Sequence, residues 1–325
     1  MMESIKNIKS LINNELQEFE RYFKDSLRSD VPLLSTILNY VYRTKGKQLR
    51  PMFVFLSAKL HGDTNEFSQL AACSVELLHT ATLVHDDVVD ESYERRGTFS
   101  IKALWKNKLA VLVGDYILAK GLILQLEHKK YNFLHLISRA VQDMSEGEIL
   151  QIKKSRKLDI TENIYFDIIR KKTASLIATS MAIGAASVTE NKEIIEKMYR
   201  IGQDAGIAFQ IKDDIFDYQS KGILGKPTGN DIKEKKITLP LLYVLDKATP
   251  AERKRIIKLV KRKHKNDMVV RELIQMVTEK GGLEYARQKM NEFRERAING
   301  LMEFPESIAR TSLIELMNYI TIRKK

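Results

Sequence analysis

The stretch that most constrains this chain is residues 83–96, where an apolar helical run that starts at Val75 passes without a break into acidic residues. Val75, Leu77, Leu78, Ala81, Thr82 and Val84 recur at helical spacing, and Asp86, Asp87 and Asp90 follow directly in LVHDDVVDESYERR. At 3.6 residues per turn, Asp86 and Asp90 stand one above the other on a single helix face. Like charges at that spacing repel by a few tenths of a kcal/mol, and by more beside an apolar wall. A solvated helix end tolerates that repulsion, and many DDxxD strings are nothing more. A helix this apolar just upstream instead calls for cations. Hard carboxylate oxygens suit Mg²⁺, which takes one or two protein carboxylates and completes its shell with water and phosphate oxygens. Arg95 and Arg96 follow within two turns, keep their charge at any physiological pH, and could grip a polyanion from the other side.

A second copy separates the two readings. Asp213, Asp214 and Asp217 (FQIKDDIFD) repeat the spacing, again after an apolar helical run of Ile201, Ile207, Ala208, Phe209 and Ile211. Two such motifs, more than a hundred residues apart, suggest facing walls of one cavity.

The rest of the chain reads as helix. Its 325 residues contain only 6 Pro, no Pro/Ser/Gly-rich linker and no hairpin dipeptides between alternating runs. Apolar segments longer than strands recur throughout, so the expectation is an all-α chain forming one domain over residues 1–325. The single Cys73 excludes an intrachain disulfide, and the opening MMESIKNIKS lacks the apolar segment of a signal peptide. Both point to a reducing, cytoplasmic setting. The longest uncharged run, residues 173–189, is short and rich in small residues, which suits a buried helix better than a bilayer span.

Formal charge is +12 and uneven, concentrated in residues 252–265 (ERKRIIKLVKRKHK), 153–157 (KKSRK) and 323–325. Such runs could meet nucleic acid or an anionic membrane surface. Ile256, Ile257, Leu259 and Val260 keep helical spacing within the first run, which makes it an amphipathic helix with a solvated face. No zinc-finger spacing, RNA-binding signature or aromatic-basic interleaving accompanies it, which argues against nucleic acid.

Several further groups could serve a phosphate. Ile8, Leu11, Ile12, Leu16, Phe19 and Phe23 mark N-terminal packing helices. Then Gly46-Lys47-Gln48-Leu49-Arg50-Pro51 opens an apolar helix, placing Lys47 and Arg50 at a helix N-terminus that favours an anion; an ordinary basic turn is the plain alternative. His79, two turns before Asp86, is either a core residue or part of a cavity mouth. Residues 102–126 are apolar on nearly every face, which implies burial all round, with Leu118, Leu122 and Leu126 as a core stripe. Ser145, Glu146, Gly147, Glu148 and Gln151 put polar groups on another helix. Lys172-Thr173 caps the buried small-residue helix, and Lys226, Lys235 and Lys236 lie in GKPTGNDIKEKKITLP, a lid or a solvated connection.

These parts select a reaction class. Six carboxylates in two clusters suit divalent ions, and the surrounding Lys and Arg suit a substrate with several phosphate charges. No P-loop, G-x-G-x-x-G or Cys/His cluster is present. What remains is the chemistry of a hydrophobic diphosphate: cations neutralise the leaving group and an apolar pocket keeps a carbocation from water.

At this point the sequence resembles the trans-isoprenyl diphosphate synthases. Their GKxxRP, DDxxD followed by RRG, KT, FQxxDDxxD, GKPxG and TLP stand here in order at residues 46–51, 86–97, 172–173, 209–217, 225–229 and 238–240. The resemblance implies the isoprenoid synthase fold, with helices surrounding a deep central cavity. It implies Asp86, Asp90 and Asp213 as principal Mg²⁺ ligands, with Asp87, Asp214 and Asp217 supporting. Lys47, Arg50, His79 and Arg96 would bind isopentenyl diphosphate, and Arg95, Lys172, Thr173, Gln210, Lys226 and Lys236 the allylic diphosphate. The chemistry would be carried by Asp86, Asp90, Arg95, Lys172, Thr173, Gln210 and Asp213. A homodimer and peripheral membrane contact for product release are implied as partners.

Two positions depart from the family. Phe99 stands where many relatives have Pro, and Lys235 where many have Gly, so a positive φ there would be strained. Short-chain members commonly carry a large aromatic four or five residues before the first motif. Here Thr82 and Ala81 are small, with Leu77 and Leu78 a turn deeper, so a long all-trans product is expected. Hexaprenyl to decaprenyl is the range and octaprenyl its centre, serving isoprenoid quinone side chains; farnesyl or geranylgeranyl diphosphate is the alternative. A terpene cyclase would replace the second motif, and a non-catalytic partner subunit would lack both.

Overall fold

The computed structural model of the protein describes residues 2–44, 46–95, 97–219 and 229–322. The first part holds α1 (Met2–Leu11), α2 (Asn13–Ser26), α3 (Pro32–Arg43), α4 (Leu49–His61), α5 (Glu66–Val89) and α6 (Ile101–Glu127). Next come α7 (Tyr131–Lys157), α8 (Glu162–Ile169), a π-helical turn (Arg170–Ala174), α9 (Ser175–Ala186) and α10 (Lys192–Gln219). The remainder is α11 (Asn230–Lys233), α12 (Leu239–Lys247), α13 (Pro250–Lys263), α14 (Asp267–Glu279), α15 (Gly282–Met302) and α16 (Ile308–Ile322). The all-α expectation holds, with one small exception. A two-stranded antiparallel ribbon, β1 (Glu94–Arg95) and β2 (Thr98–Phe99), joins α5 to α6. Gly97 in its turn has φ 77°, the left-handed conformation that glycine adopts without a Cβ penalty.

The chain groups into two compact units. One comprises Met1–Val141, Leu176–Gly202 and Phe304–Leu316; the other comprises Gln142–Ser175, Gln203–Glu303 and Met317–Lys325.

In the first unit, α5 begins with a capping box in which Asn65 and Ser68 satisfy each other's backbone N–H groups. Its residues Leu70–Leu78 are buried throughout. The N-terminal helices bury Ile8, Ile12, Phe19 and Phe23, as their spacing requires. α6 differs from its sequence-based expectation. Its buried stripe is Ala110, Val113, Gly114, Ile117, Gly121 and Leu124, with Gly121 against Leu77 of α5. Leu126 is exposed and Leu118 and Leu122 are only partly covered, so they are not the core stripe. Leu104, Val111, Leu112 and Ile123 are exposed as well. An all-round apolar sequence meant deep burial only if every face found a partner, and within this chain one face does not.

In the second unit, Ile168, Ile169, Ile207, Ile211, Ile215, Leu241 and Leu245 form part of one continuous core. Lys172 and Thr173 do not cap a helix. They sit inside the π-helical turn, through which α8 runs on into α9. Two glycines allow neighbours to approach that turn: a Cβ at Gly147 of α7 would lie 2.7 Å from the Lys172 nitrogen, and one at Gly206 of α10 would lie 2.6 Å from the Ala174 Cα. A π turn held between two close helices aims side chains differently from an α turn, and such turns are frequent at functional sites.

Candidate functional site

The first acidic motif ends α5. Asp86 and Asp87 lie in its last turn, and Asp90 is the C-cap residue. The Asp90 N–H still donates to the Asp86 carbonyl at 2.8 Å, so the i, i+4 register inferred from sequence is kept. This is the helix end whose free carbonyls already carry negative partial charge, which makes three aspartates there costlier than at an N-terminus. Asp87 is buried, and its Oδ1 accepts from Arg95 Nε at 2.7 Å across the turn from α5 into β1. Burial pushes the Asp87 carboxyl up, Arg95 pulls it back, and the net shift is upward.

Asp87, Arg95 and His79 line one cavity together with Gly46, Glu76, Thr80, Leu83, Val84 and the ribbon residues Thr98 and Phe99. The Tyr40 hydroxyl donates to the Phe99 carbonyl at 2.6 Å and ties the ribbon to α3. His79 therefore faces a cavity while 8% exposed. Lys47 and Arg50 flank the start of α4, where Gln48 adopts φ 56°, but they are not among the lining residues of this cavity. Lower on α5, Leu77, Leu78 and Ala81 are fully buried, the Thr82 hydroxyl donates to the His79 carbonyl at 2.8 Å, and Gln125 Nε2 of α6 donates to the Ser74 hydroxyl.

The second motif lies in the last two turns of α10, again at a helix C-terminus. Here a chain of side chains meets. The Thr173 hydroxyl donates to Gln210 Oε1 at 2.7 Å, Gln210 Nε2 donates to Asp214 Oδ1 at 2.8 Å, and the Tyr165 hydroxyl donates to Asp214 Oδ2 at 2.6 Å. Lys172 Nζ donates to Gln151 Oε1 at 2.8 Å and pairs with Glu148. Burial, reinforced by Asp213 and Asp217, raises the Asp214 carboxyl to about 7 against the pull of its two hydrogen bonds. Asp217 accepts the Asn230 and Asp231 N–H groups, each at 3.0 Å, tying α11 to the motif. Asp231 is also pushed well above the usual carboxylate range by burial and by Asp214 and Asp217.

Lys172, Thr173, Gln210, Asp214, Lys235 and Lys236 share a cavity of about 140 Å³ with Tyr165, Asp231 and Lys154. Lys235 takes φ 59°, the strained conformation foreseen from its replacing glycine. Lys236 also pairs with Glu234 at 2.5 Å. Arg96 and Lys226 lie outside the described residues, as do residues 220–225 and 323–325. Sequence reasoning missed Tyr165 and Asp231. Asp231 stood within the recognised lysine-rich segment, whereas nothing local distinguishes Tyr165 from a core tyrosine of α8.

The carboxylates suit a divalent ion held jointly with a substrate. Asp87, Asp214 and Asp217 are engaged by protein donors. Among the described residues no three His, Cys, Asp or Glu side chains are grouped so that they could hold a metal ion by themselves. An open set of hard oxygens is what Mg²⁺ accepts when phosphate completes its shell.

Residues 31–277 match the polyprenyl synthetase family. The all-trans-nonaprenyl-diphosphate synthase (geranyl-diphosphate specific) of Rhodobacter capsulatus is 35% identical over 94% of each chain. A polyprenyl synthase from Caulobacter crescentus, solved with calcium and isoprenyl diphosphate, superposes with a TM-score of 0.91 at 31% identity, covering 99% of this chain and 98% of that one. A geranylgeranyl pyrophosphate synthase from Bacteroides thetaiotaomicron gives 0.85 at 36% identity, over 99% and 100% of the two chains. Both acidic motifs end helices, Thr173, Gln210 and Asp214 form one hydrogen-bonded chain, and the chain belongs to the polyprenyl synthetase family, a prenyltransferase with the isoprenoid synthase fold.

Proposed function

We propose that this protein is a Mg²⁺-dependent, all-trans polyprenyl diphosphate synthase that adds isopentenyl diphosphate repeatedly to an allylic diphosphate. Residues 1–325 act as one functional unit, with both acidic motifs serving the same departing diphosphate. Asp86, Asp90 and Asp213 would hold the ion, and the chemistry it supplies is neutralisation of the leaving group. Lys172, Lys226 and Lys236 bind and orient the allylic diphosphate, and Arg95 adds charge while fixing Asp87. Thr173 and Gln210 present oxygen dipoles that steady developing positive charge. Lys47, Arg50, His79 and Arg96 position isopentenyl diphosphate, and its proton leaves to the departed diphosphate. The observation that carries the reading is the continuous hydrogen-bonded chain Thr173–Gln210–Asp214–Tyr165 beside Lys172.

The product is long, hexaprenyl to decaprenyl with octaprenyl as centre, for isoprenoid quinone side chains in the cytoplasm. Small Ala81 and Thr82 below the first motif support this, as does the nonaprenyl relative. The exposed face of α6 beyond its break at Lys106, with Val111, Leu112, Ile123 and Leu126, supports a homodimer, since a patch of that kind marks an interaction surface. Sedimentation equilibrium should then give a dimer that Leu112→Lys dissociates.

The test of function is incubation of purified protein with isopentenyl diphosphate, an allylic primer and Mg²⁺, followed by mass analysis of the prenyl products. Long all-trans chains are expected, shortened to farnesyl or geranylgeranyl by Ala81→Phe with the first condensation retained. A wild-type product that stops at geranylgeranyl in excess isopentenyl diphosphate would refute the long-chain reading and favour the short-chain one.

A further inference from the structure

Four cations of α13 share one side of the helix. At the helical repeat, Lys254, Lys258, Lys261 and Arg262 fall within about a third of the circumference. All four are exposed, while Ile256 and Val260 on the opposite side are buried. Lys263, the last residue of α13, and Lys265 beyond it are exposed as well. Acidic neighbours are engaged elsewhere: Asp246 with Arg253 at 3.2 Å, Glu272 with Arg255 at 2.8 Å, and Glu252 with Lys280 at 3.0 Å. Among the described residues no carboxylate is within ion-pair distance of Lys254, Lys258, Lys261 or Arg262.

The helix dipole accounts for cations in the last turn but not for Lys254 and Lys258, which lie further toward the positive end. Like charges at i, i+4 weaken a helix. A row kept against that cost suits an extended polyanion. No Phe, Tyr or Trp occurs between Pro250 and Met268 to stack on bases, and the His264 ring there is tied to the Lys233 carbonyl at 2.6 Å, whereas Met268, three residues beyond Lys265, is 79% exposed. Long lysine stems reaching phosphates beside an exposed apolar side chain match the boundary of a lipid bilayer.

We propose that the outer face of α13 seats this protein on an anionic phospholipid surface. The choice of lipid draws on the prenyl-transfer reading, in which a product with a long apolar tail must pass from the enzyme into a bilayer. The docking itself is read by binding, independently of activity.

The experiment is co-sedimentation of the full chain with vesicles of phosphatidylcholine, alone or mixed with phosphatidylglycerol. Wild-type protein should sediment with the mixed vesicles only and be released by added salt. Lys254→Glu/Lys258→Glu/Lys261→Glu should lower partitioning by at least about fivefold per cation lost, with prenyl transfer in detergent solution unchanged. Lys153→Glu/Arg156→Glu/Lys157→Glu, an equal change in net charge, should retain binding; melting curves check that both variants are folded. The proposal is overturned if wild type ignores the mixed vesicles, or if both variants lose binding equally. Tighter binding to an oligonucleotide than to the mixed vesicles would also overturn it. Vesicle binding without prenyl transfer would leave the docking standing and remove the enzymatic reading.

Discussion

Asp87 and Asp214 hold the same place in the two acidic motifs, yet the fold compensates them by different means. Asp87 meets a permanent cation, Arg95 Nε at 2.7 Å. Asp214 meets two neutral donors, Tyr165 and Gln210, and among the described residues no ion-pair partner. Both are nearly covered, at 4% and 3% exposure respectively, so the difference lies in the partners rather than in burial. The Arg95 guanidinium pulls the Asp87 carboxyl down against its burial, although the net shift is still upward. Neutral donors lower the carboxyl less than burial and Asp213 and Asp217 raise it, so Asp214 is held at about 7. One repeated sequence pattern therefore yields one motif whose buried carboxylate faces a cation and one whose buried carboxylate faces neutral donors and is raised to about 7.

The largest effects should test whether the motifs nevertheless work as one. Asp86→Ala and Asp213→Ala should each lower kcat by several orders of magnitude while the fold survives, because each removes a charge from a crowded helix end. The double variant should lose little more than either single one, since groups acting on one diphosphate are strongly non-additive. Multiplicative losses would mean two independent roles. EDTA should abolish turnover and added Mg²⁺ restore it.

A smaller effect sharpens the contrast in partners. Removing the cation leaves the buried Asp87 carboxylate without its partner, and because the Arg95 side chain is 33% exposed, Arg95→Leu should destabilise the metal-free protein by roughly 1–2 kcal/mol. Tyr165→Phe removes a single neutral hydrogen bond and should cost about 1 kcal/mol, more above pH 7 where Asp214 is ionised than below it. Urea titrations at two pH values measure both, and a larger or pH-independent loss for Tyr165→Phe would break the comparison.

The smallest expected effect is the pH profile of the metal-free protein. Asp214 binds its proton more tightly when folded, at about 7, than in the unfolded chain. Its contribution to stability is therefore complete below an unfolded carboxyl value of about 4 and is lost as pH rises through 7. Asp214→Asn, which keeps a neutral group able to bond both Gln210 and Tyr165, should melt a few degrees higher than wild type at pH 8 and flatten that decline. Thermal melts in chelator across pH 5–8 decide it, and an unchanged slope would show that Asp214 is not the titrating group.

How far the sequence carried this reading differs from residue to residue. The i, i+4 register of Asp86 and Asp90 and the helical character of α5 and α10 were legible, because periodicity is a local property of the chain. So was the strain at Lys235, since a positive φ is a demand on one residue. The ribbon at Glu94–Phe99 escaped notice because two residues per strand leave no alternation to read. The Leu118/Leu122/Leu126 stripe was misjudged, since hydrophobicity on all sides of α6 does not reveal which side meets α5; Gly121 against Leu77 does.

The sequence alone determined that the chain is helical, that carboxylates recur in pairs at helix ends, and which family supplies the chemistry. Only tertiary structure decided that Arg95 turns back onto Asp87, and that Tyr165, from a helix well upstream, reaches Asp214. It also decided that Lys172 stands in a π turn held close by Gly147. The physical reason is that spacing along a helix is set by covalent geometry. Burial, charge compensation and hydrogen-bond partners arise from residues far apart in the chain that meet only when it is folded.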